Sequence, residues 1–246
     1  MKKQEKKRYE VDLYQPVKDY FINEGYEVYG EVNHCDVAAV RESELVIIEL
    51  KLSLTIDLLI QATKRQRLTN QVYIAIPKPT YSNRSRKWKD SCHLIRRLEL
   101  GLITVEFLED DVQIKIIHEP ASFDRKKSMQ RSQKKRKNML SEIKGRTGDY
   151  NTGGSSQMKI VSAYKENSIH IACCLLANGP LSPKLLRGMG TGEKTLSILS
   201  KNYDGWFDKI RRGIYMLSKK GENELKAFPN LTAYYNGIVS EACREE

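Results

Sequence analysis

Strand, helix and strand signals follow one another between residues 44 and 77, and this order constrains the chain more than any other stretch. "ELVIIELKL" (44–52) is an almost continuous apolar run. "TIDLLIQATKRQRLT" (55–69) has helical periodicity, with Thr55 placed as an N-cap and Asn70 as its stop, and "QVYIAIP" (71–77) is again a strand. A helix set between strands is what a mixed α/β sheet requires.

The flanks extend that frame. Tyr9–Glu24 places Val11, Leu13, Tyr14, Val17, Tyr20 and Phe21 at helical intervals, and Gly25 closes the segment. "YEVYGEV" (26–32) and "DVAAVR" (36–41) precede the 44–52 run, joined through "NHC" and "RESE", which predicts a three-stranded meander. A polar, basic loop "KPTYSNRSRKWKDS" leads to a short helix "CHLIRRLEL", stopped by Gly101, and then to strands "LITVEFL" and "VQIKIIH". The expected order is αβββαβ followed by αββ.

The 44–52 strand carries Glu49 and Lys51 in its second half. Side chains two apart on a strand share a face, so these opposite charges sit together. Asp36 opens the preceding strand, and an antiparallel return brings it near Glu49 and Lys51. Phosphodiester hydrolysis uses a divalent metal to withdraw charge from phosphate and acidify a water, and carboxylate oxygens suit Mg²⁺.

Asp36 with "ELK" at 49–51, on the αβββαβ order, resembles the PD-(D/E)XK phosphodiesterase superfamily over residues 9 to about 118. The resemblance implies a restriction-endonuclease-like sheet and a metal, Mg²⁺ or Mn²⁺, held by Asp36, Glu49 and the Leu50 carbonyl. It implies that Lys51 orients or activates the water and stabilises charge developing on the phosphate. Glu10 on the first helix and Gln61 on the helix after the motif are the further candidates for the catalytic set, with Arg65 on the same helical face as a nucleic-acid contact. Cys35 stands where the motif name has proline. Glu31 and His34 lie close enough to compete with Asp36.

Composition fits a nucleic-acid partner. The 246 residues include 42 Lys and Arg against 31 Asp and Glu, a net charge of +11. With a pI near 9.3, the chain points toward a polyanion. No run approaches the roughly 18 apolar residues of a spanning helix, so no membrane association and a cytoplasmic location are expected. Five cysteines form no CxxC pair, and with four histidines no zinc-like spacing arises. "GTGEKT" (190–195) superficially resembles a phosphate-binding P-loop, but Glu193 breaks the required Gly-Lys-Ser/Thr sequence.

Three parts are expected: a nuclease-like domain over 1–120, a linker over 121–156 and a second domain over 157–246. Arg125 to Lys137 holds eight basic residues and no acid, either a solvated helix or tail or a phosphate-contacting arm, and "GRTGDYNTGGSSQ" follows. The last part reads as a helix over 158–177, a second capped by Ser182 with Pro183 behind it, a third in "GEKTLSILSKNY", a hairpin around Arg211, Arg212 and Gly213, and a closing helix in "KKGENELKAF". That describes a winged helix-turn-helix. Lys194, Thr195, Ser197 and Lys201 on the third helix, with Arg211 and Arg212 on the wing, are then the expected DNA contacts. Trp206 and Phe207 are expected as core anchors.

"GPLSPKLLRGMGTGEKTLSIL", "NYDGWF" and "RRGIYMLSKKGENEL", with "RTGDYNTGG", are similar to the C-terminal half of a bacterial family of PD-(D/E)XK phosphodiesterases, a resemblance that brings no substrate with it. The leading expectation is a metal-dependent nuclease acting on DNA. The alternative is a DNA-binding regulator or repair scaffold that keeps the nuclease fold without hydrolysis. RNA stays open as a substrate, and duplex cleavage would favour a homodimer.

Overall fold

The computed structural model describes residues 7–109, 111–154 and 160–242. The chain divides into two compact units, residues 1–128 and 129–246.

In the first unit, α1 (Val11–Asn23) precedes an antiparallel meander of β1 (Glu27–Val32), β2 (Cys35–Arg41) and β3 (Glu44–Leu50). Helix α2 (Ile56–Arg65) then returns the chain so that β4 (Gln71–Pro77) lies parallel to β3. Helix α3 (Arg86–Arg97) does the same for β5 (Gly101–Phe107), and β6 (Val112–His118) closes the edge antiparallel. The six strands lie in sequence order in one mixed sheet.

Strand alternation divides the core between two faces. Leu13, Val17 and Phe21 of α1 pack with Val37, Ala39, Val46, Ile48 and Leu50. Leu58 and Ala62 of α2, with Trp88, Cys92 and Ile95 of α3, pack with Val72, Ile74 and Ile76. Each large apolar side chain so buried contributes about 1.5–3 kcal/mol. The Thr55 hydroxyl accepts from the Leu58 amide and fixes the start of α2 as expected. Helix α3 begins earlier than expected: residues 86–91 are helical rather than loop, because Ser85 caps the Trp88 amide and Trp88, Cys92 and Ile95 form a buried stripe.

The basic segment is helical. Helices α4 (Arg125–Arg131) and α5 (Gln133–Lys144) occupy it, with no buried side chain in either, so its charges are solvated. The stretch after them is tied down. Glu166 Oε2 accepts from the Thr147 amide (2.8 Å) and hydroxyl (2.7 Å). Asn151 brackets the Val161 backbone, donating to its carbonyl and accepting from its amide, both at 2.7 Å.

Helix α6 (Ala163–Asn178) starts at a Ser162 cap, later than expected, and the expected start at 158–159 lies outside the described residues. Helices α7 (Pro183–Gly188) and α8 (Thr195–Lys201) follow, then a hairpin of β7 (Phe207–Arg211) and β8 (Ile214–Leu217), and helices α9 (Lys219–Leu225) and α10 (Pro229–Ala242). Ser182 caps the Leu185 amide, and Gly213 takes the φ of 74° that the hairpin turn demands. An isolated bridge joins Leu181 to Tyr215. Trp206 and Phe207 are buried in this unit's core, as expected. Helix α10 was not anticipated; Leu231, Tyr235 and Val239, four apart, bury its inner face.

Candidate active site

The site forms where β2 begins and β3 ends. Val37 pairs with Ile48, so the next rung sets Asp36 opposite Glu49. Directly opposite residues of an antiparallel pair point to the same face. Asp36 Oδ2 accepts from the Leu50 amide at 2.7 Å, which locks its carboxylate against the strand that carries Glu49.

Glu49 is 1% exposed. Burial raises its carboxyl above the ordinary carboxylate range; the Arg65 hydrogen bond opposes that rise, and the neighbouring Asp36 carboxyl adds to it. Arg65 Nε donates to Glu49 Oε1 at 2.6 Å, and a second guanidinium nitrogen donates to the His34 carbonyl. Arg65, expected as a nucleic-acid contact, is thus committed to the strand carboxylate. Gln61, one helical turn earlier, is exposed.

Lys51 leaves the sheet with its amide donating to the Ala75 carbonyl at 3.1 Å. Its ammonium lies 3.0 Å from Glu10 Oε1, beside the first turn of α1. That hydrogen bond raises the Lys51 pKa, against a smaller effect of burial. The expected first-helix acid therefore does reach the motif lysine, across 41 positions of sequence.

A cavity of about 450 Å³ opens beside these groups, lined by Glu10, Tyr14, Glu31, Asp36 and Leu50 among others. Its charged lining is acidic throughout. In the sequence Tyr14 is marked only by the periodicity of its helix; its side chain sits so close to Gly30 that a Cβ there would stand 2.8–3.0 Å from it. Among the described residues no group of three or more His, Cys, Asp or Glu is placed to hold a metal ion. The donor set is of another kind: two adjacent carboxylates, one of them buried with a raised pKa, plus a main-chain carbonyl. A buried carboxylate beside a half-buried one favours a cation between them, in addition to the Arg65 guanidinium on Glu49, and hard oxygen donors suit Mg²⁺ or Mn²⁺. The residues fit the expected metal.

In the second unit, Lys194, Ser197 and Lys201 are exposed on or beside α8, and Arg211 and Arg212 are exposed at the hairpin turn. Thr195 is a correction to the expected surface: it is fully buried, its hydroxyl 2.6 Å from both the Thr191 hydroxyl and the Gly192 carbonyl. A hydroxyl satisfied within the fold is not offered to DNA. Among the described residues no helix is long and apolar enough to cross a membrane.

Residues 103–224, just under half of the chain, match the sequence model of a family described as "Putative PD-(D/E)XK phosphodiesterase (DUF2161)". The matched stretch runs from β5 into α9, downstream of Asp36, Glu49 and Lys51. No curated protein and no solved structure matches the chain. Over 103–224 the chain is thus similar to a family of PD-(D/E)XK phosphodiesterases, and its six-stranded mixed sheet fits a fold of that kind.

Proposed function

We propose that the chain is a divalent-metal-dependent phosphodiesterase that hydrolyses DNA in the cytoplasm, with a nuclease-like domain over 1–120 and a winged helix-turn-helix targeting module over 157–246. One observation carries the catalytic half of this reading: Asp36 and Glu49 face each other across the β2–β3 register, with Lys51 one step beyond and ion-paired to Glu10.

Asp36, Glu49 and the Leu50 carbonyl are the oxygens that would hold Mg²⁺ or Mn²⁺, which supplies charge withdrawal from the phosphate and acidification of a water. Arg65 fixes the Glu49 carboxylate. Lys51 keeps its proton and donates to charge developing on the phosphate oxygens, and Glu10 orients that ammonium. Support for the targeting half is the order of three helices and a hairpin, with exposed Lys194, Lys201, Arg211 and Arg212. A homodimer would bring two such sites to the two strands of a duplex.

A second reading, a DNA-binding regulator or repair scaffold without hydrolysis, draws on a specific observation: both motif charges are already paired, Glu49 to Arg65 and Lys51 to Glu10. The experiment that separates the two incubates wild type, Glu49→Ala and Lys51→Ala with supercoiled, linear and single-stranded DNA, in Mg²⁺, Mn²⁺ or EDTA. Metal-dependent cleavage lost in both variants supports the enzyme. Absence of cutting and of calorimetric metal binding, with duplex binding retained, supports the scaffold. Competition by double-stranded RNA tests the nucleic-acid class.

A further inference from the structure

Charge sorts by sign around the end of β3. The cavity that Leu50 lines has only acids among its charged residues, Glu10, Glu31 and Asp36. A second cleft, of about 570 Å³, is lined by Leu52, and its charged residues are Lys7, Arg8, Lys78 and Lys87, with no carboxylate. Lys51 stands in the chain between the two.

The floor of this second cleft is fixed. The Lys51 amide donates to Ala75 and the Lys78 amide to Val105, at 3.1 and 2.8 Å, and Leu52, Ile76 and Pro77 place the cleft at the carboxyl ends of the parallel strands β3 and β4. Open α/β sheets bind ligands at that end of their strands. Tyr81 forms part of the wall, held edge-on against buried Trp88 with centroids 6.4 Å apart. Lys87 Nζ lies 4.9 Å from the Tyr81 ring centroid. Lys78 is neutralised by Glu106 at 2.5 Å, whereas Lys87 has no carboxylate partner among the described residues.

We propose that this cleft is a nucleotide subsite: it takes the phosphate and adjoining sugar and base of the residue next to the bond that is cut, in a single-stranded stretch of nucleic acid. The inference rests on the phosphodiesterase reading and adds where the strand runs. A strand crossing Lys51 meets acids on one side, where a cation and the scissile phosphate belong. On the other side it meets cations and apolar surface. Cations answer the next phosphate, and Tyr81, with the neighbouring Leu52 and Ile76, answers a sugar and base. The volume lies within the range of small-ligand sites.

The test measures anisotropy of a fluorescein-labelled octathymidylate in EDTA, then cleavage of the same oligonucleotide in Mg²⁺ and Mn²⁺. Lys87→Glu and Tyr81→Ala are expected to weaken binding roughly tenfold and to raise KM with kcat within about twofold. Lys51→Ala is expected to bind as wild type and not to cut. Lys87 is exposed, so Lys87→Gln and Lys87→Glu keep the test valid if Tyr81→Ala does not fold. If wild type cuts and the Lys87 variants cut with unchanged KM, the subsite is overturned and the phosphodiesterase reading stands. If wild type binds through Lys87 and Tyr81 but cuts in neither metal, the cleft stands as a nucleotide site and the phosphodiesterase reading falls. Binding that ignores both residues overturns the subsite whatever the cleavage result.

Discussion

Arg65 Nε sits 2.6 Å from Glu49 Oε1, and this pair joins the helix after the motif to the strand that carries it. Glu49 is almost wholly enclosed, whereas Arg65 keeps 19% of its side-chain surface. Removing one partner of such a pair leaves a buried charge without compensation, at a cost of about 3–5 kcal/mol for full burial and less for a partly exposed partner. Arg65→Ala is therefore expected to lower the stability of the first unit by about 2–3 kcal/mol, and Arg65→Ala with Glu49→Gln to recover part of it. The chain has two tryptophans, Trp88 in the first unit and Trp206 in the second. Urea unfolding followed by Trp88 fluorescence in a Trp206→Phe background reads this unit alone. Equal midpoints for Arg65→Ala and the parent would show that the pair contributes nothing.

Lys51 and Glu10 make the corresponding pair at the open end of the site, and its role differs. With the lysine side chain 33% and the glutamate side chain 47% exposed, the ion pair contributes little to stability, on the order of 0–1 kcal/mol. Its expected effect is on chemistry. Lys51→Ala should lower kcat by about 10²–10³ while leaving DNA affinity within a few-fold. Glu10→Gln keeps an acceptor but removes the carboxylate charge that helps to raise the lysine pKa, so the ammonium would lose its proton at lower pH. The alkaline limb of the pH–rate profile should then move down in Glu10→Gln. An alkaline limb at the same pH in both proteins would show that Lys51 does not set it.

Much of this geometry was legible because it depends on strand period and order. The 44–52 run, the Thr55 and Ser182 caps and the meander before them are local signals, and Asp36 opposite Glu49 follows from an antiparallel return. What stayed hidden depends on contacts across the fold. Arg65 read as a nucleic-acid contact, because only the closed sheet brings α2 over Glu49. Thr195 looked exposed on a polar stretch, and its burial follows from the Thr191 hydroxyl turning inward to meet it. The linker composition at 146–151 conceals the clamps that Glu166 and Val161 place on Thr147 and Asn151. Helix α3 was obscured by "RSRKWKD", whose charges face solvent while Trp88 faces the core.

The hairpin turn gives a test of the proposed targeting module that does not involve cleavage. Arg211 and Arg212 are exposed beside Gly213, where a wing would meet phosphates. Each phosphate contact contributes about one unit to the slope of log K against log salt. Arg211→Ala with Arg212→Ala is expected to weaken duplex binding at all sequences and to reduce that slope by about 2. A slope equal to the parent's would remove the hairpin from the interface and favour a protein-binding or structural role for the second unit.

His170 supplies the pH dependence of that unit. Its ring stacks on Tyr235 with centroids 4.5 Å apart and planes 15° from parallel, and Nε2 is buried without a hydrogen-bond partner. Burial lowers its pKa, against a smaller opposing effect of a hydrogen bond to the Met189 backbone. The folded unit therefore resists protonation that the unfolded chain accepts at about pH 6.5. Stability from keeping this ring neutral is fully present above that pH and is lost as pH falls toward the lower folded value. Other groups of the unit titrate too, so the informative quantity is a difference between proteins. His170→Phe keeps an aromatic ring against Tyr235 and cannot be protonated. Unfolding read by Trp206 fluorescence, with Trp88→Phe as background, should show a smaller loss of stability between pH 7.5 and pH 5 in His170→Phe than in its parent. Equal losses in the two proteins would mean that the buried imidazole does not govern the acid sensitivity of the second unit.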